Sequence, residues 1–284
     1  MKGINRIIIL GLAIIALASC QDKIDLDLPE GEKFLVVEGW ITNEERDHTV
    51  KLTFTQQYFD SNAPTPASGA FVVVKDDQGN ETELAETSPG VYTFPGPGEA
   101  GTSYQLEILL EDGTRYQSSW ELLREPVPIF SIEWRLSEDE PNSDFDEEPD
   151  DIYEVIIFTS EPAGLGDCYQ WRSFLNGEEQ RDPFDIFVTT DEFVDGNPIP
   201  EFNVTDELYS TPDTVRIVQE RISRAAHDFY VQLQSQTAFV GSPFDTPPAP
   251  IQGNIINLND EKRPAQGFFG AAGVDDATTI VGVE

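Results

Sequence analysis

The chain has 284 residues, with 53 acidic side chains against 17 basic ones and a formal net charge of −36. So negative a surface repels phosphate backbones and anionic lipid head groups, which excludes nucleic-acid binding and direct adhesion to anionic membranes while leaving cationic ligands and divalent ions open. The 20 prolines and 21 glycines favour many short strands and turns over helices.

Lys2 and Arg6 form a short basic start, followed by an unbroken apolar run from Ile7 to Ala18. The run suits a signal-peptide core and is too short for a membrane span, which needs roughly 20 apolar residues. It ends in Leu17-Ala18-Ser19-Cys20, small residues before a cysteine, in the manner of a bacterial lipobox. The pattern predicts residues 1–19 as a lipoprotein signal peptide and Cys20 as the lipidation site, with acyl chains on that cysteine as the membrane anchor. Each buried methylene contributes about 0.8 kcal/mol, so one chain binds marginally and several bind durably. Loss of Lys2 and Arg6 brings the charge of the remaining chain to −38. With Cys20 acylated, Cys168 has no partner for a disulfide and reads as a buried small apolar residue.

Residues 20–33 read as a tether. From Phe34 the pattern changes to short apolar runs punctuated by turns. Strands are expected at Phe34–Ile41, Val50–Phe54, Ala70–Lys75, Thr82–Leu84, Val91–Phe94, Tyr104–Ile108 and Thr114–Tyr116, the alternation marking half-buried surfaces. Asp76-Asp77-Gln78-Gly79-Asn80 supplies a hairpin turn. This density of strands predicts an immunoglobulin-like β-sandwich over 34–124. Glu125-Pro126-Val127-Pro128 marks a boundary, and a second β-rich domain with one helix is expected over 125–284. Its strands are expected at Ile129–Leu136, Tyr153–Phe158, Tyr169–Leu175, Asp185–Thr190, Thr214–Gln219, Ile251–Leu258, Gly267–Ala272 and Thr278–Val283. Ile222, Ala225, Ala226, Phe229, Tyr230 and Leu233 fall at helical spacing, so a helix is predicted over Arg224–Thr237, capped by Ser223, stopped by Gly241 and packed on a sheet face.

No catalytic constellation emerges. The only histidines are His48, placed in a polar turn, and His227, on the predicted helix beside Asp228. Zinc sites need several His or Cys ligands at set spacings. There is no Gly-x-Ser-x-Gly elbow, no His-Glu-x-x-His and no phosphate-binding glycine loop. No cofactor is expected. The acidic run Asp144, Asp146, Glu147, Glu148, Asp150 and Asp151 offers oxygen ligands for calcium but lacks EF-hand spacing, and a solvated loop is the preferred reading. Phe239, Phe244, Phe268 and Phe269 flank the proline-rich stretch 242–250 and are expected to close the core beneath it.

Val36-Val37-Glu38-Gly39-Trp40-Ile41-Thr42 with Val50-Lys51-Leu52-Thr53, then Pro243-Phe244-Asp245-Thr246-Pro247-Pro248, Gly253-Asn254-Ile255 and Gly267-Phe268-Phe269-Gly270-Ala271, resemble a Bacteroidota outer-membrane lipoprotein family known as domain of unknown function 4249. The acidic residues behind Cys20, from Asp22 to Asp27, likewise resemble export signals of surface lipoproteins in that group. The resemblance implies no activity and no catalytic residues. It implies an outer-membrane, lipid-anchored accessory or binding module beside a TonB-dependent receptor in nutrient uptake. A structural or adhesive surface lipoprotein stands as the alternative, and a glycan-active enzyme ranks third.

Overall fold

The structure, a computed structural model, describes residues 32–56, 62–137, 152–238 and 249–283. Cys20, the acidic run at 144–151, Phe239, Gly241 and Phe244 lie outside those residues.

β1 (Leu35–Thr42) pairs antiparallel with β2 (His48–Phe54), which continues to β6 (Val91–Phe94) and β5 (Ala85–Ser88). A second sheet faces them, built from β3 (Phe71–Asp76), β4 (Glu81–Glu83), β7 (Ser103–Leu109), β8 (Arg115–Ser118) and β9 (Glu121–Leu122). Alternation decides what packs between them. Val37, Ile41, Val50 and Leu52 of one sheet meet Val72, Val74, Leu106 and Ile108 of the other in a single core. The fold is mainly β, and this region is the sandwich that the strand density predicts.

The end of the chain departs from the expected order. Gly267–Ala272 and Thr278–Val283 belong to one strand, β18 (Gln266–Ile280), 15 residues long. Its first half runs parallel to β1, from Val36 opposite Gln266 to Thr42 opposite Ala272. Its second half pairs antiparallel with β16 (Thr214–Ile222). β17 (Ile255–Asn257) adds to β8. The C-terminal segment therefore completes both sheets of the 34–124 sandwich, and from Lys33 onward the chain is one compact unit that no cut at 124/125 divides. The physical reason is edge closure. Without β17 and β18, β1 and β8 would present unpaired N–H and C=O groups, and strands from elsewhere in the chain satisfy them.

Beyond β16 the large sheet continues to β12 (Cys168–Leu175), which also pairs β13 (Glu178–Glu179) and β14 (Phe187–Thr190). A 3-10 turn at Pro183–Asp185 precedes β14 and takes up the first residue of the strand expected there. β10 (Ser131–Leu136), β11 (Tyr153–Ser160) and β15 (Pro198–Phe202) form a separate three-stranded sheet.

The large sheet has two different faces. Odd-numbered positions of β12, β16 and β18, such as Trp171, Ile217 and Phe269, point to one side, which is covered over one half by the six-stranded sheet and over the other by the three-stranded sheet. Even-numbered positions, including Cys168, Val218, Phe268 and Ala272, point to the opposite side. There lies α1 (Arg224–Thr237), packed through Ala226, Phe229 and Tyr230. The Ser223 hydroxyl accepts the Ala226 N–H at 3.1 Å and caps the helix as predicted. Cys168 is buried and has no disulfide partner among the described residues. Among the described residues no helix is long and apolar enough to cross a membrane.

Candidate functional site

α1 covers only part of its face of the large sheet. Beside it an open groove of about 1040 Å³ runs over β1, β2 and the start of β18, with Trp40, Lys51, Arg172, Glu220 and Tyr230 on its walls. Each of these side chains is placed by strand or helix periodicity. Trp40 points out of β1 on the side opposite the sandwich core, because its neighbours Gly39 and Ile41 face that core.

The aromatic wall is fixed. Trp40 stacks against Tyr230 of α1, with ring centroids 6.0 Å apart and planes at 18°. On another side it stacks against Phe268, at 5.9 Å and 21°. The ring lies flat over Gly270, its partner in β18, where a Cβ would fall 2.3 Å from Trp40 Cζ3. Glycine is required here by close approach rather than by backbone conformation. Burial raises the Tyr230 hydroxyl above its ordinary pKa, so it stays protonated and polar at the groove wall.

The charged part of the groove is cross-paired. Arg172 of β12 reaches Glu220 of β16 through Nε at 3.0 Å and Nη2 at 2.5 Å. Its Nη1 donates to Glu179 at 3.1 Å, and Glu179 in turn accepts from Arg181 Nε at 2.7 Å. Burial opposes the Arg172 charge, but the flanking carboxylates outweigh it and hold the guanidinium above its ordinary pKa. Arg172 and Arg216 also lie over the Phe174 ring, at 5.5 and 5.1 Å from its centroid. Lys51 and Glu38 face each other across β1 and β2 at 3.7 Å.

A smaller pocket of about 260 Å³ lies on the other face, lined by Trp171, Phe187, Phe202, Tyr169 and Glu161. Trp171 Nε1 donates to Gln219 Oε1 at 3.0 Å, while Gln219 Nε2 donates to the Val127 carbonyl at 2.9 Å. This buried amide locks the pocket floor to the segment that follows the sandwich. Burial, together with the charges of Asp167 and Asp191, pushes Glu161 up to about 7, against the lowering effect of the nearby Tyr169 hydroxyl.

The two histidines sit on different elements, β2 and α1. His48 is not in a polar turn: it opens β2 and is 1% exposed, and neither ring nitrogen makes a hydrogen bond of ordinary geometry among the described residues. Burial lowers its pKa and keeps it neutral. The polar residues around it hid a strand that begins two positions earlier than the alternation at Val50 suggests. His227 contacts Asp228 at 3.0 Å on α1. Phe268 and Phe269 are buried, as expected. Arg172, Glu220 and the carboxylates around Glu161 escaped the sequence reading. Arg172, the single charge in the aromatic-rich strand Tyr169–Leu175, is the available signal, since a charge at a strand position facing a neighbour needs a partner.

The family model described as domain of unknown function (DUF4249) matches residues 21–278. The chain belongs to this family. No curated protein matches the sequence. Among solved structures the DUF4249 chain is similar to a two fibronectin type-III domain segment from chicken tenascin, at 12% identity and a TM-score of 0.20, covering 68% of this chain and 92% of that one. The sandwich assignment rests on the strand pairing described above, not on that likeness.

Proposed function

We propose that this DUF4249 chain is a lipid-anchored cell-envelope module that binds rather than catalyses, held to the outer membrane by acyl chains on Cys20 and working beside a TonB-dependent receptor in nutrient uptake. The observation that carries the binding part is the groove along α1. It is large and open, its aromatic wall is held by stacking, and Arg172 is committed to Glu220 and Glu179. Groups locked in this way present a fixed surface to a partner and are poorly placed to move protons during a reaction. The anchor is supported by the sequence around Cys20, and the receptor association by the family resemblance.

The test is affinity purification of the full-length protein from detergent-solubilised outer membranes of its native host. Recovery of a TonB-dependent receptor at near-stoichiometric yield is expected, with loss of membrane attachment when Cys20 is replaced by alanine. Repeated recovery of the intact lipoprotein without any receptor would contradict the accessory role. Nutrient uptake unchanged by deletion, with loss of surface adhesion, would favour the structural alternative.

A further inference from the structure

A second buried polar cluster sits across β12 and β16 from the groove. Glu161 follows β11, Asp167 precedes β12 and Asp191 follows β14. One carboxylate oxygen of each lies within 4.8 Å of the others. The three residues are 5%, 3% and 3% exposed. Two of them are provided for. Arg221 donates to both oxygens of Asp167, with Arg124 at 3.8 Å. Asp191 Oδ2 accepts the N–H groups of Gly166 and Asp167 at 2.7 and 2.9 Å.

Glu161 is different. Its Oε1 is closed to water and accepts from nothing among the described residues. The Tyr169 hydroxyl beside it is also buried, makes no hydrogen bond of ordinary geometry among the described residues, and faces the Glu161 carboxylate closely enough to lower that carboxylate's pKa. Its ionisation is opposed by burial and by the Glu161 and Asp167 charges it faces. Leaving such atoms unmatched is strongly unfavourable. A small cation between the three carboxylates would satisfy the open oxygen and offset their mutual repulsion. Two ligands of one ion lie no further apart than twice the ion–oxygen distance, which is about 4.8 Å for calcium at about 2.4 Å. Oxygen-only ligands suit a hard cation and disfavour zinc or copper.

We propose that Glu161, Asp167 and Asp191 form a calcium site, in which Glu161 supplies the oxygen that the fold leaves open. The three residues come from three separate segments, so an ion there ties the end of β11 to both ends of the β12–β14 hairpin and closes the wall of the smaller pocket. This site is distinct from the acidic run at 144–151 that the sequence offers for calcium.

The test uses the full chain, stripped with chelator and titrated with calcium chloride at mildly alkaline pH, where a proton on Glu161 is not a substitute. Calorimetry is expected to give one saturable site and thermal melts a rise of several degrees at saturation. Terbium in place of calcium should show emission sensitised by Tyr169 and Trp171, displaced by calcium. Glu161→Gln should weaken binding roughly tenfold or more and remove the thermal shift, and Asp191→Asn provides a second variant with the same expectation. Asparagine at Asp144, Asp146 and Asp150 should leave the site intact. Absence of a thermal response to calcium in the wild-type chain, or equal calcium affinity in both site variants, would overturn the proposal.

Discussion

Two buried charge clusters flank the same pair of strands, and they are solved differently. On the α1 face, Arg172 lies between Glu220 and Glu179, so a base is matched by acids on both sides. On the opposite face, Asp167 takes Arg221 and Arg124, Asp191 takes two backbone N–H groups, and Glu161 is left over. The difference follows from strand parity. Arg172 and Glu220 occupy even positions of β12 and β16, where neighbouring strands bring them side by side. Glu161, Asp167 and Asp191 lie beyond strand ends, where loops rather than a ladder decide what meets. A ladder fixes partners residue by residue, whereas converging loops can gather like charges that need something else to hold them.

The contrast can be broken most severely from the paired side. Arg172→Met strands Glu220 beneath the helix and is expected to cost about 3 kcal/mol in urea unfolding, somewhat below the figure for a wholly buried pair because water reaches part of the guanidinium. A loss below about 1 kcal/mol would mean the cluster tolerates an unpaired carboxylate. Next in size is Gly270→Ala, which pushes a methyl group into the Trp40 ring. It should cost about 1–3 kcal/mol and shift tryptophan fluorescence by disturbing the stack with Tyr230. Ser223→Ala removes the helix cap and should cost about 1 kcal/mol, read in the same unfolding experiment.

The unpaired side predicts the opposite sign. In chelator, Glu161→Gln removes a charge that has no donor, so it should stabilise or leave stability unchanged where Arg172→Met destabilises. The pH dependence follows from the raised value of Glu161. A carboxyl whose folded-state pKa lies above its unfolded value favours folding below the unfolded value, and that contribution is lost as pH rises to about 7. In chelator, the stability difference between wild type and Glu161→Gln should therefore swing against the wild type between about pH 4.5 and 7. Parallel pH profiles for the two chains would show that Glu161 titrates normally.

The sandwich was legible in the sequence because its strands alternate and its turns are marked. Val37, Leu52, Val72 and Ile108 reach the core that their spacing predicts. The helix was legible for the same reason, down to the Ser223 cap. What local pattern could not show is pairing between distant segments. Nothing in Gly267–Ala272 announces a parallel partner at Val36–Thr42, and the apparent gap between two C-terminal strands at Asp275 and Asp276 is one polar stretch of a continuous strand. The same limit hid both charge clusters. With 53 acidic residues, no single carboxylate stands out. Only the ladder between β12 and β16 selects Glu220 for Arg172, and only loop convergence gathers Glu161, Asp167 and Asp191.

The groove along α1 as the binding face is the central claim, and photo-crosslinking in living cells tests it most directly. A crosslinking residue at Lys51, in the groove, should capture a TonB-dependent receptor, while one at the exposed Phe71 on the outer sheet should not. Receptor capture from Phe71, with none from Lys51, would contradict the account.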